Sequence, residues 1–70
     1  MQENNQELLQ LGKKIKALRK AKKLTLESVC YKNGLEPSTL SRIEGGIVDP
    51  KYLTLLKIAR AFGITIQELI

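Results

Sequence analysis

The pattern of apolar and polar positions across residues 24–46 predicts two short helices joined by a tight turn. The first helix presents three apolar side chains on one face: Leu26, Val29 and Cys30. Thr25 precedes it as a cap, and Asn33-Gly34 ends it, because this pair tolerates the left-handed conformation that closes a helix. The whole two-helix unit spans about residues 25–45.

The second helix of the pair is predicted over residues 37–44. It begins at Pro37, because the first turn of a helix has no use for the N–H that proline lacks. Leu40 and Ile43 follow at helical spacing and form its inner face. Two helices joined by so short a turn cross steeply, so the second helix projects from the core. Its outward side carries four polar residues: Ser38, Thr39, Ser41 and Arg42.

A stripe of apolar residues at helical spacing predicts another helix before this pair, from Leu8 to the Lys22-Lys23 break. Gly12 lies inside the stripe, where it lowers helix propensity without ending the pattern. The chain before the stripe is polar, so we expect residues 1–6 to form a flexible N-terminal segment.

Two more helices follow the pair. Asp49-Pro50 supplies a cap and a first-turn residue for a fourth helix, which Gly63 ends. Thr65 and Glu68 match a capping box at the start of a fifth helix. Because no segment alternates as a strand does, we predict an all-α fold, in which residues 7–70 form one compact bundle of five short helices.

The charge of the chain favours a polyanionic partner. Twelve Lys and Arg residues stand against seven Asp and Glu residues, which gives a net charge of +5. Seven of the twelve fall between Lys13 and Lys23, but Lys13, Lys16 and Lys20 lie opposite the apolar stripe and are interpreted as a solvated face. Lys22 and Lys23 lie beside the start of the next helix, where a phosphate backbone would approach.

Composition also argues against several classes of protein. The chain has one cysteine and no histidine, which excludes an internal disulfide and the usual zinc spacings, so we expect no metal and no cofactor. Without histidine, clustered carboxylates or a phosphate-cradling glycine loop, no catalytic site or small-molecule substrate is predicted. Cys30 is interpreted as a buried small apolar residue. The reduced cysteine and the lack of a long apolar run indicate a cytoplasmic protein without a membrane partner.

Several segments carry a recognisable set of motifs: LGKKIKALRKAKKLTLESV, NGLEPSTLSRIEGG, DPKYLTLLKIARAFGI and TIQEL. Together they resemble the lambda-repressor-like helix-turn-helix family, also called the Cro/cI or XRE type, from about Leu11 to the end of the chain. The resemblance implies a five-helix DNA-binding domain, usually dimeric, whose third helix lies in the major groove of a nearly palindromic operator. It also implies an ion pair between Arg19 and Glu44 that ties the first helix to the end of the third.

The chain departs from the family pattern at three places. Leu26 stands where the family commonly has a phosphate-binding glutamine, and Glu36 stands where the third helix is usually capped by serine or threonine. The loop after the third helix is often basic in the family, whereas here it reads Ile47-Val48-Asp49. These departures are the best support for the alternative function, an antitoxin or coactivator-like protein-interaction module on the same fold.

The candidate DNA-contacting residues follow from this placement. Arg42 could pair with the N7 and O6 atoms of guanine or hold a phosphate, and the sequence leaves both open. Thr25 is first of all a helix cap, and Tyr52 is expected to pack at the start of the fourth helix with its hydroxyl near a phosphate. The full set of predicted DNA-binding residues is Thr25, Ser38, Thr39, Ser41, Arg42, Lys22, Lys23, Lys51 and Tyr52.

The sequence therefore predicts a transcriptional regulator that binds double-stranded DNA sequence-specifically. The expected protein is a small bacterial or phage repressor or controller, acting as a homodimer with the recognition helix, about residues 37–44, in the major groove.

Overall fold

The computed structural model describes residues 5–70, which fold into five α-helices without a strand. In chain order these are α1 (Gln6–Ala21), α2 (Leu26–Tyr31), α3 (Pro37–Glu44), α4 (Tyr52–Phe62) and α5 (Ile66–Leu69). α3 packs against both α1 and α2, α4 packs against α2 and α5, and α5 returns to α1. The predicted all-α bundle of five short helices is confirmed.

Most helix ends arise from the local signals that predicted them. The hydroxyl of Thr25 accepts the N–H of Ser28 at 3.0 Å, and the hydroxyl of Ser28 accepts the N–H of Thr25 at 2.9 Å. This reciprocal pair satisfies N–H groups that the first turn of α2 leaves without a helical partner. Gly34 follows α2 with φ +68°, and Pro37 is the first residue of α3. The predicted turn between the two helices is therefore confirmed.

The first helix begins inside the segment that was expected to be flexible. Asn5 caps α1 by accepting the N–H of Leu8 at 3.2 Å, and Gln6 is the first helical residue. The rest of that predicted segment, residues 1–4, lies outside the described residues.

The predicted start of the fourth helix is wrong. Lys51 keeps an extended backbone, with φ −70° and ψ 154°, so α4 begins only at Tyr52 and has no side-chain cap. Asp49 lies too early in the chain to accept an N–H group from the first turn. At its other end α4 closes at Gly63, as the sequence predicted, and this glycine adopts the left-handed conformation.

One buried core joins all five helices. Its members are apolar and at most 4% exposed: Ile15, Val29, Cys30, Leu40, Ile43, Ile58, Ala59, Phe62 and Leu69. Burial raises the pKa of the Cys30 thiol, which keeps the thiol neutral, and the interpretation of Cys30 as a buried small residue is confirmed. Two residues on the inner face of α3, Leu40 and Ile43, belong to this core, so the helix is fixed by one side.

The backbones of α1 and α3 meet at Gly12. A Cβ atom at this position would overlap the carbonyl oxygen of Ile43 and lie 2.5 Å from the carbonyl oxygen of Glu44. Sequence reasoning took Gly12 only as a weak helix former and missed this contact. The close approach places the end of α3 directly on α1.

Candidate nucleic-acid interface

The outward side of α3 forms the centre of the candidate interface. Ser38, Ser41 and Arg42 are exposed, whereas Thr39 is half-buried at the edge of the helix. Because the opposite side of α3 is buried in the core, its exposed side chains have a fixed direction. A helix of eight residues whose exposed face carries hydroxyl and guanidinium groups can enter the major groove of DNA and reach base edges.

An ion pair ties the C-terminal end of this helix to α1. The Nε atom of Arg19 donates to Oε2 of Glu44 at 2.7 Å, and its Nη2 atom donates to Oε1 at 3.1 Å. The side chains of Arg19 and Glu44 are only 11% and 6% exposed. The hydrogen bond that Arg19 donates to Glu44 raises the pKa of Arg19 above its ordinary value, although burial opposes this. Such a bidentate, shielded pair has little freedom to change its geometry.

The same arginine also reaches the segment that leads into α2. Its Nη1 atom donates to the carbonyl oxygen of Leu24 at 2.7 Å. Leu24 directly precedes Thr25, the cap of α2, so one guanidinium group holds α1, the start of α2 and the end of α3 together. Arg19 therefore sets the relative position of both helices of the helix-turn-helix.

The turn before α2 brings Lys22, Lys23 and Thr25 to one exposed region. Lys23 has a φ of +58°, which is uncommon for a residue with a side chain, and its N–H donates to the carbonyl oxygen of Lys20 at 2.9 Å. Lys22 and Lys23 are exposed and precede the N-terminus of α2 by a few residues, where a helix dipole also favours an anion. The hydroxyl of Thr25 already acts as a helix cap, which leaves backbone N–H groups and lysines for a phosphate.

The start of α4 supplies the remaining predicted residues. Lys51 and Tyr52 are both exposed, and Tyr52 is 63% accessible, so the expectation that it packs at the start of the helix is wrong. The physical reason is that α4 begins at Tyr52 itself and turns its first side chain to the surface, while its buried face is formed by Ile58, Ala59 and Phe62.

A groove of about 340 Å³ separates α3 from the start of α4. It is lined by five polar and three apolar residues: Thr39, Arg42, Asp49, Lys51, Thr54, Ile43, Val48 and Pro50. The fold thus brings Thr39, Arg42 and Lys51 together, and it keeps the lysines before α2 outside this groove. Thr54 was not predicted, although its place two residues after Tyr52, on the flank of the apolar face of α4, is a signal for it.

The described residues carry no other obvious chemistry. Within residues 5–70 there is no group of three or more His, Cys, Asp or Glu side chains that could hold a metal ion. In the same part of the chain, no helix is long and apolar enough to cross a membrane.

Comparison with known proteins decides the family. Residues 12–70 match the model of the helix-turn-helix domain family. The chain belongs to this family. An uncharacterized HTH-type transcriptional regulator of Sinorhizobium fredii, y4dJ, is 35% identical over 60 residues, which cover 86% of this chain and 78% of that protein.

The helix-turn-helix fold is also seen in a solved structure. The crystal structure of the restriction-modification controller protein C.AhdI from Aeromonas hydrophila matches with a TM-score of 0.90 and 30% identity, over 94% of this chain and all of that chain. At the level of the family, these matches confirm the function class predicted from the sequence, a DNA-binding transcriptional regulator. They do not favour the alternative of a protein-interaction module.

Proposed function

We propose that this helix-turn-helix protein is a homodimeric repressor or controller that places α3 in the major groove of a palindromic operator. The observation that carries the proposal is the fixed, exposed side of α3. Its inner face is buried, its end is tied to Arg19, and its outer face presents Ser38, Ser41 and Arg42. A rigid polar face of this size suits the reading of base edges.

The mechanism is positioning and forms no covalent bond. Lys22, Lys23 and the N–H groups at the start of α2 hold one stretch of phosphate backbone, and Lys51 with Tyr52 holds another. Between these two regions α3 reads the bases, with Arg42 as the strongest donor. A bound protein then blocks or assists polymerase at a promoter.

The homodimer follows from the size of the contact. One α3 of eight residues reads a single half-site, whereas two copies related by a two-fold axis double the buried surface and the number of base contacts. The cellular compartment would be the cytoplasm of a bacterial or phage-infected cell, where the operator lies.

Selection of bound sites from a random duplex pool tests this function. We expect an enriched palindrome with half-sites about 10 base pairs apart, and saturation at two chains per duplex. Saturation at one chain with full affinity would contradict the dimer. A pool without any enriched sequence would contradict the reading of bases and return preference to the protein-interaction module.

Arg42→Ala should weaken binding to the enriched duplex by about 1–3 kcal/mol if the guanidinium reads a base. The melting temperature should stay nearly unchanged, because Arg42 is exposed. DNA titration and thermal melting measure the two effects.

The matched control for this variant is Arg60→Ala, which removes an exposed arginine from the last turn of α4. It should reduce affinity only slightly, by the loss of one distant charge. Equal losses for the two variants would show that Arg42 contributes only general charge.

A further inference from the structure

Asp49 is the one acidic side chain in the groove between α3 and α4. It lines this groove together with two cationic residues, Arg42 from α3 and Lys51 from the segment before α4. Because the three side chains line one groove, their charges all act on a group that enters it.

Asp49 makes no contact among the described residues that would stabilise the fold. Asp49 is exposed, it does not cap α4, and among the described residues it makes no hydrogen bond or ion pair. Arg42 likewise has no side-chain hydrogen bond within residues 5–70. The guanidinium group can therefore donate to a phosphate, to a base edge or to the neighbouring carboxylate.

A carboxylate in this place affects two kinds of DNA contact unequally. A backbone phosphate carries a full negative charge, so Asp49 repels it, and phosphates supply most of the affinity for DNA of any sequence. The N7 and O6 atoms of guanine are neutral acceptors, so their pairing with Arg42 is opposed far less. Such a repulsion lowers the affinity for non-operator DNA more than the affinity for the operator.

We infer that Asp49 is a specificity-determining residue, which weakens the attraction of Arg42 for backbone phosphate and thereby directs this guanidinium to a base edge, while Lys51 remains a phosphate contact. The inference rests on the proposed function, since it requires α3 to lie in the major groove. It assigns the acid of the α3–α4 loop to discrimination between operator and non-operator DNA.

The test compares Asp49→Asn with the unchanged chain on two duplexes, the one enriched by selection and a scrambled one of equal length and composition. We expect affinity for the scrambled duplex to rise by roughly threefold to tenfold, and affinity for the enriched duplex to change by less than about twofold. The plot of log K against log salt for the scrambled duplex should become steeper by up to about one unit. Asp49→Glu, which keeps the charge, should retain most of the original preference.

Glu7→Gln is the matched control, because it removes one negative charge at a groove between α1 and the C-terminus that shares no residue with the first. It should raise both affinities slightly and equally. The inference is overturned if Asp49→Asn leaves the preference unchanged, if Glu7→Gln lowers it as much, or if Asp49→Asn weakens the enriched duplex more than tenfold, which would make Asp49 itself a base contact. An unchanged chain without any preference would instead refute the proposed function, and this inference with it.

Discussion

Arg19→Ala should lower the free energy of unfolding by about 2–4 kcal/mol, one of the two largest effects expected in this protein. The substitution removes three hydrogen bonds and leaves the shielded carboxylate of Glu44 without a partner. DNA affinity measured below the melting transition should fall less than stability does, because Arg19 acts by holding α2 and α3 in place. Thermal and urea unfolding measure the effect.

Two further variants identify its origin. Adding Glu44→Gln to Arg19→Ala should recover part of the loss, because the unpaired charge disappears while the shape of the side chain remains. Lys20→Ala, at the exposed neighbouring position, should change stability by less than about 0.5 kcal/mol. If Arg19→Ala unfolds at the same urea concentration as the unchanged chain, the ion pair does not hold the helices together.

Gly12→Ala should have the second large effect and lower the free energy of unfolding by about 2–3 kcal/mol. The new methyl group would meet the carbonyl oxygens of Ile43 and Glu44, and backbone atoms cannot rotate aside as a side chain does. α1 and α3 would have to separate, which would also strain the Arg19 pair. Chemical unfolding gives the change in stability, and the same titration as for Arg42→Ala gives the change in DNA affinity.

Gly45→Ala provides the control at a glycine in the same part of the fold. Its φ of −81° suits any residue, and the nearest atoms to an added Cβ lie at 3.5 Å, an ordinary contact. We expect a change of less than about 1 kcal/mol. Equal destabilisation by the two substitutions would mean that the close approach at Gly12 is not the cause.

The features that sequence predicted best are those that depend on neighbouring residues. The cap at Thr25, the capping box of Thr65 and Glu68, the start of α3 at Pro37 and the end of α4 at Gly63 each follow from chemistry within one helical turn. The prediction for the start of α4 was wrong because the neighbouring residues do not determine it. The extended backbone of Lys51 is not encoded by Asp49-Pro50 alone, and a cap followed by proline was an incomplete signal.

Features formed by distant parts of the chain were harder to predict. The pair of Arg19 and Glu44 spans 25 positions, and it was expected only from the family resemblance, since spacing alone links no residue of α1 to the end of α3. The contact at Gly12 and the meeting of Arg42 with Asp49 and Thr54 also require the tertiary packing of helices. Amphipathic patterns define the buried face of each helix, but they do not define which helix it faces.

The two ends of α3 are held unequally by side-chain contacts. Its last residue is fixed by Arg19, whereas its N-cap, Glu36, makes no side-chain bond to the first turn. The first turn with Ser38 therefore has fewer side-chain tethers than the last turn with Arg42, although the core fixes the same face of both. Binding to a duplex would cost more conformational entropy at the first turn of α3 than at the end held by Arg19. The end of α3 held by Arg19 therefore suits the base contact proposed for Arg42, and its N-terminal end suits adaptable hydroxyl contacts.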